Sequence, residues 1–136
     1  MSTDLPIRTH QAISARLSGR ALRVDPDESE VELVLHEEMA ADSTGLVHGG
    51  FLFSAADYAA MLAVNEPYVV LAAASTRFLM PSRVGDVLRF IARVERSEGR
   101  KRSVSVRGVD EQQRTVFEGT FECAALARHV LAARDG

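Results

Sequence analysis

The stretch HGGFLFSAADYAAMLAVN, residues 48–65, decides the fold of this chain. Between Gly49 and Val64 it is rich in alanine and leucine, lacks proline, and carries apolar residues on nearly every side of a helix. A helix of that kind is buried, because a surface helix keeps a polar face. Asn65 can cap its end and Pro67 prevents it from continuing. The sequence therefore predicts one long buried helix of about 24 Å.

Four strands are predicted after this helix, over residues 69–79, 86–95, 103–109 and 115–125. Apolar and polar residues alternate along them, and the last strand places Phe117, Phe121 and Cys123 on one face. The connections are short and polar, which favours antiparallel meander pairing of successive strands.

The residues before the long helix are more varied. Residues 7–17 are predicted to form a short amphipathic helix, because their apolar residues lie at helical spacing. Asp25-Pro26-Asp27 is a turn, and residues 30–36 alternate as a strand before a polar loop over residues 37–48. The simplest arrangement is an α+β fold in which one antiparallel sheet wraps around one long helix. We expect a single domain over residues 1–136.

Composition places the chain among ordinary globular proteins, since 46% of its residues are apolar and 26% are charged. The first twenty residues contain no apolar core of signal-peptide length, and the apolar stretch 49–64 is interrupted by Asp57 and too short for a bilayer. The single cysteine, Cys123, excludes an intrachain disulfide and a cysteine-based zinc site. We expect a cytoplasmic protein with no metal and no membrane partner.

The net charge of −3 is unevenly distributed. Residues 25–42 contain eight acidic and no basic residues, whereas residues 77–107 contain nine basic and three acidic ones. A nucleic-acid partner is disfavoured, but a local anion site in the second half is plausible. Arg77, Arg83 and the run Arg100, Lys101 and Arg102 could hold the phosphates of a CoA-like ligand, or the run could be a solvated hairpin turn.

The start of the long helix has the strongest chemical pattern. Gly49 and Gly50 allow another group to approach the backbone closely, and the first-turn N–H groups have no partner within the helix. Together with the helix dipole these amides form a site for a carbonyl oxygen that acquires negative charge.

Asp57 lies two turns further along, and its helical neighbours include no charge partner. A carboxylate on a buried helix is costly, so desolvation should raise its pKa towards the range of a general base. Alternatively, Asp57 faces solvent through a groove or bonds to a neighbouring chain.

Weaker candidates surround these two features. His48 could act in chemistry or brace the loop before the helix, and the hydroxyl of Ser75 or Thr76 could orient a water. Phe51, with Phe53 and Met61, could line an acyl tunnel or belong to the core. The remaining histidines have no metal-like spacing, and there is no phosphate-cradling loop or nucleophile elbow.

With these motifs the sequence resembles the hot-dog thioesterase superfamily, in particular the branch that contains the phenylacetate-pathway thioesterases. The resemblance covers His48 to about Glu122 and includes HGGFLFSAADYAAMLAVN, the strand end RFLMP and the turn Val84-Gly85-Asp86. It implies a curved antiparallel sheet around one central helix and acyl-CoA thioester hydrolysis with no cofactor beyond the CoA of the substrate.

The resemblance also implies a homodimer whose sheets join edge to edge, often paired again into a homotetramer, with active sites at the dimer interface. Carried over, Asp57 is the general base or nucleophile, the N–H of Gly49 polarises the thioester carbonyl, and His48 supports that loop. Gly50 belongs to the same substrate-binding loop. The branch often has asparagine where this chain has Asp42, and an ionised acid cannot donate that amide hydrogen bond.

The chain also resembles the ligand domain of the bacterial fatty-acid-synthesis repressor, which binds malonyl-CoA-type ligands without hydrolysis. The similarity lies around Leu52-Phe53-Ser54, at Arg77-Phe78 and in the turn at residues 84–86. In that repressor the acid of the helix is replaced by asparagine, whereas Asp57 is present here. A non-catalytic acyl-CoA sensor is therefore the alternative hypothesis.

Overall fold

The structure, a computed structural model, describes residues 4–135. Its helices are α1 (Ala15–Ser18), α2 (Gly49–Val64) and α3 (Leu131–Asp135), with one 3₁₀ turn at Glu37–Met39. Its strands are β1 (Arg20–Asp25), β2 (Glu28–Val34), β3 (Val69–Phe78), β4 (Val87–Glu98), β5 (Lys101–Val109) and β6 (Thr115–Ala125).

The six strands form one antiparallel sheet in the order β1-β2-β4-β5-β6-β3. Helix α2 packs across one face of this sheet, and we call the opposite face, which α2 does not cover, the helix-free face. The predicted α+β fold, a curved antiparallel sheet wrapped around one long central helix, is confirmed. No helix within residues 4–135 has the length and hydrophobicity needed to cross a bilayer.

Helix α2 begins and ends where the sequence predicts. Most of its residues are buried: Leu52, Ala55, Ala56, Tyr58, Ala59, Ala60, Met61, Leu62 and Ala63. Asn65 ends the helix in the left-handed conformation with φ of 50°, and its N–H donates to Met61 O. Small alanine side chains let the sheet approach closely, and the rings of Phe90, Phe117 and Phe121 fill the remaining space.

The predicted helix over residues 7–17 is wrong except for its last residues, since only Ala15–Ser18 is helical. The preceding segment is extended because it is bound to the end of α2: Asn65 Oδ1 accepts from Arg8 N at 2.8 Å, and Asn65 Nδ2 donates to Pro6 O at 3.0 Å. His10 also has a positive φ of 53°, which a helix does not allow. The strand β1 was not predicted.

The predicted meander is correct for β4, β5 and β6 and wrong for β3, which pairs with β6 at the edge of the sheet. The cause is the length of the connections. Two residues join β4 to β5, as in a tight hairpin, whereas residues 79–86 join β3 to β4 and cross from one side of the sheet to the other. This crossing brings residues 79–86 past the start of α2.

The uneven charge of the sequence is partly neutralised on the helix-free face of the sheet. There the acidic strand β2 lies beside the basic strand β4, with Glu30 3.8 Å from Arg89 and Glu28 3.9 Å from Arg93. Such exposed pairs contribute little stability each. They show that part of the predicted basic surface already has acidic neighbours.

Candidate functional site

The start of α2 leaves its first amides available to a ligand. His48 occupies the cap position, but its side chain makes no capping hydrogen bond, unlike the serine or aspartate that usually stands there. The backbone of His48 is fixed by a bond from its N–H to Met39 O at 3.0 Å. The N–H groups of Gly49 and Gly50 therefore face outward with the positive end of the helix dipole behind them.

Both glycines have close side-chain neighbours. A Cβ at Gly49 would lie 3.0 Å from Cε2 of Phe78, and a Cβ at Gly50 would lie 2.9 Å from Nε2 of His48. The ring of Phe51 meets the imidazole of His48 edge-on at a centroid distance of 6.1 Å. The helix start is thus a narrow backbone surface between an imidazole and a phenyl ring.

A cavity of about 340 Å³ opens beside this surface. It is lined by Val47, Gly49, Leu52, Phe78, Leu79, Met80, Pro81 and Ser82. Among these residues, Gly49 alone is a site residue predicted from the sequence. Phe78 ends β3, and Leu79 to Ser82 belong to the connection between β3 and β4. A signal was present in the sequence, because the apolar run Phe78-Leu79-Met80-Pro81 breaks the strand alternation.

Asp57 lies on the partly exposed side of α2. Its carboxyl group is therefore partly desolvated and still accessible to a ligand. Its Oδ1 atom is buried and has no hydrogen-bond partner. Burial raises the pKa of Asp57 from 3.8 to about 6. The predicted desolvated carboxylate without a charge partner is therefore present, and it has the proton affinity of a general base near neutral pH.

The side of α2 that carries Asp57 faces the last strand. Phe53, one turn earlier, packs on Phe121 of β6 with a centroid distance of 5.5 Å. Burial raises the pKa of Cys123 to about 12, and the charge of Asp57 contributes to this rise. Asp57 thus lies close to Cys123, which pairs with Leu71 of β3. Met61 is fully buried in the core, which favours the interpretation of this residue as part of the core.

The two predicted hydroxyl residues, Ser75 and Thr76, lie on opposite faces of β3. Thr76 lies on the helix side, where its Cγ2 would be 2.9 Å from a Cβ at Gly119. Ser75 lies on the opposite face beside Arg77 and Thr120, since neighbouring residues of a strand point to opposite faces. Only Thr76 shares a face with Gly49 and Phe78.

The predicted basic residues fall in two places. Arg83 lies beside the loop that leads to the helix, where its Cγ would be 3.7 Å from a Cβ at Gly45 and its N–H donates to Asp86. The run Arg100, Lys101 and Arg102 forms the β4–β5 turn at the other end of the sheet, because Arg102 pairs with Cys123 whereas Phe78 pairs with Phe117. Six residues of β6, or roughly 20 Å, separate the two ends.

Asp42 has a structural partner. Its Oδ1 accepts hydrogen bonds from the N–H of Thr44 at 2.9 Å and from the Thr44 hydroxyl at 2.6 Å. These bonds lower the pKa of Asp42, so the exposed side chain is an ionised acceptor that closes a turn. Within residues 4–135, no three histidine, cysteine, aspartate or glutamate side chains are grouped as metal ligands would be.

Comparison with known proteins agrees with this architecture. The profile of the family described as Thioesterase superfamily matches residues 44–117, more than half of the chain. The chain is similar to methylthioribose-1-phosphate isomerase of Aquifex aeolicus, with 50% identity over 86% of this chain and 25% of that protein. It is also similar to the transcription factor FapR of Caldanaerobacter subterraneus, with 31% identity over 73% of this chain and 49% of that protein. The chain thus spans a quarter to a half of these curated relatives.

Two solved structures match over nearly the whole chain. The uncharacterised protein PH1136 from Pyrococcus horikoshii has 45% identity and a TM-score of 0.92, with 95% of this chain and 98% of that chain covered. The PaaI protein of the E. coli phenylacetic acid degradation operon has 25% identity and a TM-score of 0.79, with 88% of each chain covered. The predicted branch, the one that contains the phenylacetate-pathway thioesterases, is confirmed. The chain belongs to the thioesterase superfamily.

Proposed function

We propose that this protein hydrolyses acyl-CoA thioesters, with Asp57 acting on a carbonyl that is polarised by the N–H of Gly49. The observation that carries the proposal is the buried Oδ1 of Asp57, which has no hydrogen-bond partner within residues 4–135, together with the raised pKa of this carboxyl. No resident metal or cofactor is required for this chemistry. A cytoplasmic location remains a prediction.

The two groups cannot act on one carbonyl from the same chain. Gly49 and Asp57 are eight residues apart on one helix, so roughly 12 Å of helix axis lies between them. Reacting groups must come within about 3–3.5 Å of each other. We therefore expect the partner's Asp57 to meet the carbonyl held by Gly49, which makes the homodimer the catalytic unit.

The free edge of β3 is suited to this pairing. It carries exposed apolar residues at both ends, with Tyr68 41% exposed just before the strand and Phe78 and Leu79 52% and 46% exposed at its end. An unpaired edge with such residues is a template for another strand. Antiparallel pairing of two copies about the middle of β3 would bring Tyr68 of each copy to Leu79 of the other.

Antiparallel pairing about the middle of β3 has a two-fold axis, and this axis would also bring Asp57 of one copy towards Gly49 of the other. Asp57 lies near Cys123 and hence level with Leu71, so pairing about Ala73 and Ala74 would set the partner's Leu71 beside Thr76. Thr76 is two residues, about 7 Å, from Phe78, which contacts Gly49. A homotetramer would need a further surface, but the dimer alone completes the site.

The reaction we propose transfers an acyl group to water. Water attacks the thioester carbonyl carbon while Asp57 takes one of its protons, and the negative charge that develops on the carbonyl oxygen faces the N–H of Gly49. The C–S bond then breaks, the thiolate takes the proton from Asp57, and a free carboxylic acid and CoA leave. In the alternative route the carboxylate of Asp57 attacks the carbonyl carbon, the C–S bond breaks, and the CoA thiolate leaves and takes a proton from water. Water then hydrolyses the mixed anhydride to the free acid and restores Asp57.

In this dimer, most of the predicted CoA-binding residues near one active site would come from the partner. Antiparallel pairing would place the partner's Arg100, Lys101 and Arg102 at the end of the joined sheet where Gly49 lies. Arg83 would approach the same end from its own chain. Gly50, Phe51 and Thr76 would surround the thioester, with His48 bracing the loop, whereas Ser75 lies on the far face.

A second candidate function is a binding module that holds acyl-CoA without cleaving it. The similarity to the transcription factor FapR, 31% identity over 99 residues, favours it. Asp42 also favours it, because this ionised side chain cannot supply the amide donor of the related thioesterases. Both candidate functions involve binding of acyl-CoA, so a measurement of acyl-CoA turnover distinguishes them.

The deciding experiment is an acyl-CoA panel with a free-thiol readout, run on wild type, Asp57→Ala and Asp57→Asn. We expect thiol release by the wild type and a loss of at least about 100-fold in both variants, with the fold and the dimer retained. Glu66→Gln, the same chemical change at the other end of the helix, is the control and should keep full activity. Unchanged turnover in the Asp57 variants rejects the assignment of Asp57, and tight binding without thiol release supports the binding module.

A further inference from the structure

The cavity of about 340 Å³ beside Gly49 has an apolar accessible lining. Val47, Leu52 and residues 78–81 supply apolar side chains, and Ser82 presents no hydroxyl to the cavity because its Oγ atom is buried. A polar group that entered such a cavity would lose its hydrogen bonds to water. The lining therefore favours an unsubstituted alkyl chain attached to a carbonyl at the N–H of Gly49.

One wall of this cavity reaches the surface of the single chain. Phe78, which contacts the helix start, and Leu79, which follows it, both line the cavity and are both exposed. In the proposed dimer, antiparallel pairing about Ala73 and Ala74 brings the partner's Tyr68 to Leu79. The partner's Tyr68 would then cover the exposed wall.

Tyr68 has the rigidity that such a cover requires. Pro67 restricts the backbone before it, and the N–H of Val69 after it donates to Glu66 O at 3.2 Å. Its ring meets the imidazole of His129 edge-on at a centroid distance of 6.3 Å. A tyrosine ring held in this way is a firmer boundary than a flexible aliphatic side chain.

A second cavity lies beside Tyr68 within its own chain. It has a volume of about 330 Å³, and the tyrosine forms part of its lining. Its apolar lining comes from Pro67, Val69, Val70 and Val130. In the dimer, Tyr68 would therefore stand between this cavity and the acyl cavity of the partner.

We propose that the partner's Tyr68 is a specificity-determining residue that limits the length of the acyl chain, so that the substrates are CoA thioesters of medium-length saturated fatty acids. This inference rests on the proposed function and its dimer, and it adds the substrate class. A cavity of about 150 Å³ holds the six carbons of benzene, so one of about 340 Å³ has room for a chain of roughly eight to twelve carbons. A longer chain meets the ring of Tyr68.

A series of saturated substrates from butyryl-CoA to palmitoyl-CoA, each held below its critical micelle concentration, tests this limit. For the wild-type dimer we expect kcat/KM to rise by about 3- to 4-fold per methylene, which is the gain from burying one CH₂ group. The rise should continue to roughly ten carbons, and kcat/KM should fall beyond about twelve.

Variants of Tyr68 should move the limit in both directions. Tyr68→Ala should extend the rise by about two methylenes or more, because the chain can then enter the second cavity. Tyr68→Trp should shift the optimum to shorter chains. Tyr68→Phe, which keeps the ring, and Leu131→Ala, which removes an exposed side chain that lines neither cavity, are the controls and should keep the wild-type profile.

Heterodimers of two differently tagged chains show which subunit supplies the ring, since Asp57 and Tyr68 of one chain would both serve the site at the partner's Gly49. In a heterodimer of Asp57→Asn with Tyr68→Ala, the active site takes both groups from the Tyr68→Ala chain, so the extended profile should appear. When one chain carries both substitutions and the other is wild type, the active site should have the wild-type profile.

A limit that moves in neither Tyr68→Ala nor Tyr68→Trp, while both stay dimeric, would overturn the role of Tyr68 and leave the thioesterase proposal intact. The reverse result in the two heterodimers would overturn its assignment to the partner. Wild-type kcat/KM that keeps rising up to palmitoyl-CoA would overturn the length limit. Absence of thiol release from every acyl-CoA would overturn the proposed function, and this inference with it.

Discussion

The imidazole of His48 lies over Gly50, so that a Cβ at residue 50 would be 2.9 Å from Nε2. Gly50→Ala should therefore push the ring aside, although alanine is by itself the better helix former by about 1 kcal/mol. If the ring braces the thioester end of the ligand, Gly50→Ala and His48→Ala should each lower kcat/KM by about 10-fold. The double variant should lose no more than either single one.

This double-mutant cycle also has a stability readout. In the His48→Ala background, Gly50→Ala should be neutral or stabilising in thermal unfolding, because nothing else lies near the added methyl group. Additive losses of activity in the double variant would show that the two residues act independently.

The raised pKa of Asp57 predicts the acid limb of the pH–rate profile. A base must be ionised to accept a proton, so kcat/KM should rise with pH and level off above about 6. Below that value it should fall by about tenfold per pH unit. The profile is measured with an acyl-pantetheine whose acyl chain is uncharged, because the phosphate monoester of CoA itself titrates near pH 6. A limb near pH 4 would contradict the burial of this carboxylate.

The same group should make the protein less stable at neutral pH. Because the folded-state pKa of about 6 exceeds the ordinary value of 3.8, folding is favoured by protonation. This contribution is complete below pH 3.8 and is lost as the pH rises through 6. Asp57→Asn should therefore raise the free energy of unfolding at pH 7.5 by about 1–2 kcal/mol, since one pKa unit is about 1.4 kcal/mol and partial exposure reduces the effect.

At pH 4.5 the difference should shrink to about a third of its value at pH 7.5, because Asp57 is then protonated in the folded state but still mostly ionised in the unfolded state. Denaturant unfolding at one fixed protein concentration checks both values, since the stability of a dimer depends on concentration. An equal effect at both pH values would point to packing rather than charge as its source.

The elements that sequence predicts well are those with local signals. Helix α2 matches its predicted bounds because two glycines precede it and Asn65 and Pro67 end it. Strand β6 matches because Phe117, Phe121 and Cys123 alternate clearly and are all buried. Strand β1 gave no such signal, since at the sheet edge only Val24 among its residues is buried.

The errors come from contacts between distant parts of the chain. Residues 7–17 have helical spacing, but Asn65 holds Pro6 and Arg8 in an extended segment, and no local pattern contains that information. The pairing of β3 with β6 is likewise a long-range choice.

The same distinction applies to the candidate site. Gly49 and Asp57 stand out because each breaks the pattern of an otherwise apolar helix. Phe78 and Ser82 reach the helix start only through the crossing of residues 79–86, which the meander hypothesis did not include. Strand alternation separates Ser75 from Thr76, but which of the two faces the helix depends on that same pairing.

The edge of β3 provides a test of the dimer. If the two-fold axis passes between Ala73 and Ala74, Ala74→Glu would place two like charges close together across the axis, which disfavours strand pairing. We expect the variant to sediment as a folded monomer and to lose thioesterase activity. Ser97→Glu adds the same charge to an exposed strand away from this edge and should remain dimeric. An Ala74→Glu variant that stays dimeric would place the interface elsewhere.

The basic turn between β4 and β5 predicts a difference between two kinds of substrate. In the proposed dimer Arg100, Lys101 and Arg102 lie near the partner's helix start, where they can bind the phosphates of CoA. Replacing all three by alanine should raise KM for an acyl-CoA by about 10-fold at low salt and by less at high salt, because exposed charges are screened. KM for the corresponding acyl-pantetheine, which has no phosphate, should not change, and kcat should stay the same for both. If KM rises equally for the two substrates, the turn affects the site through its structure and not through phosphate binding.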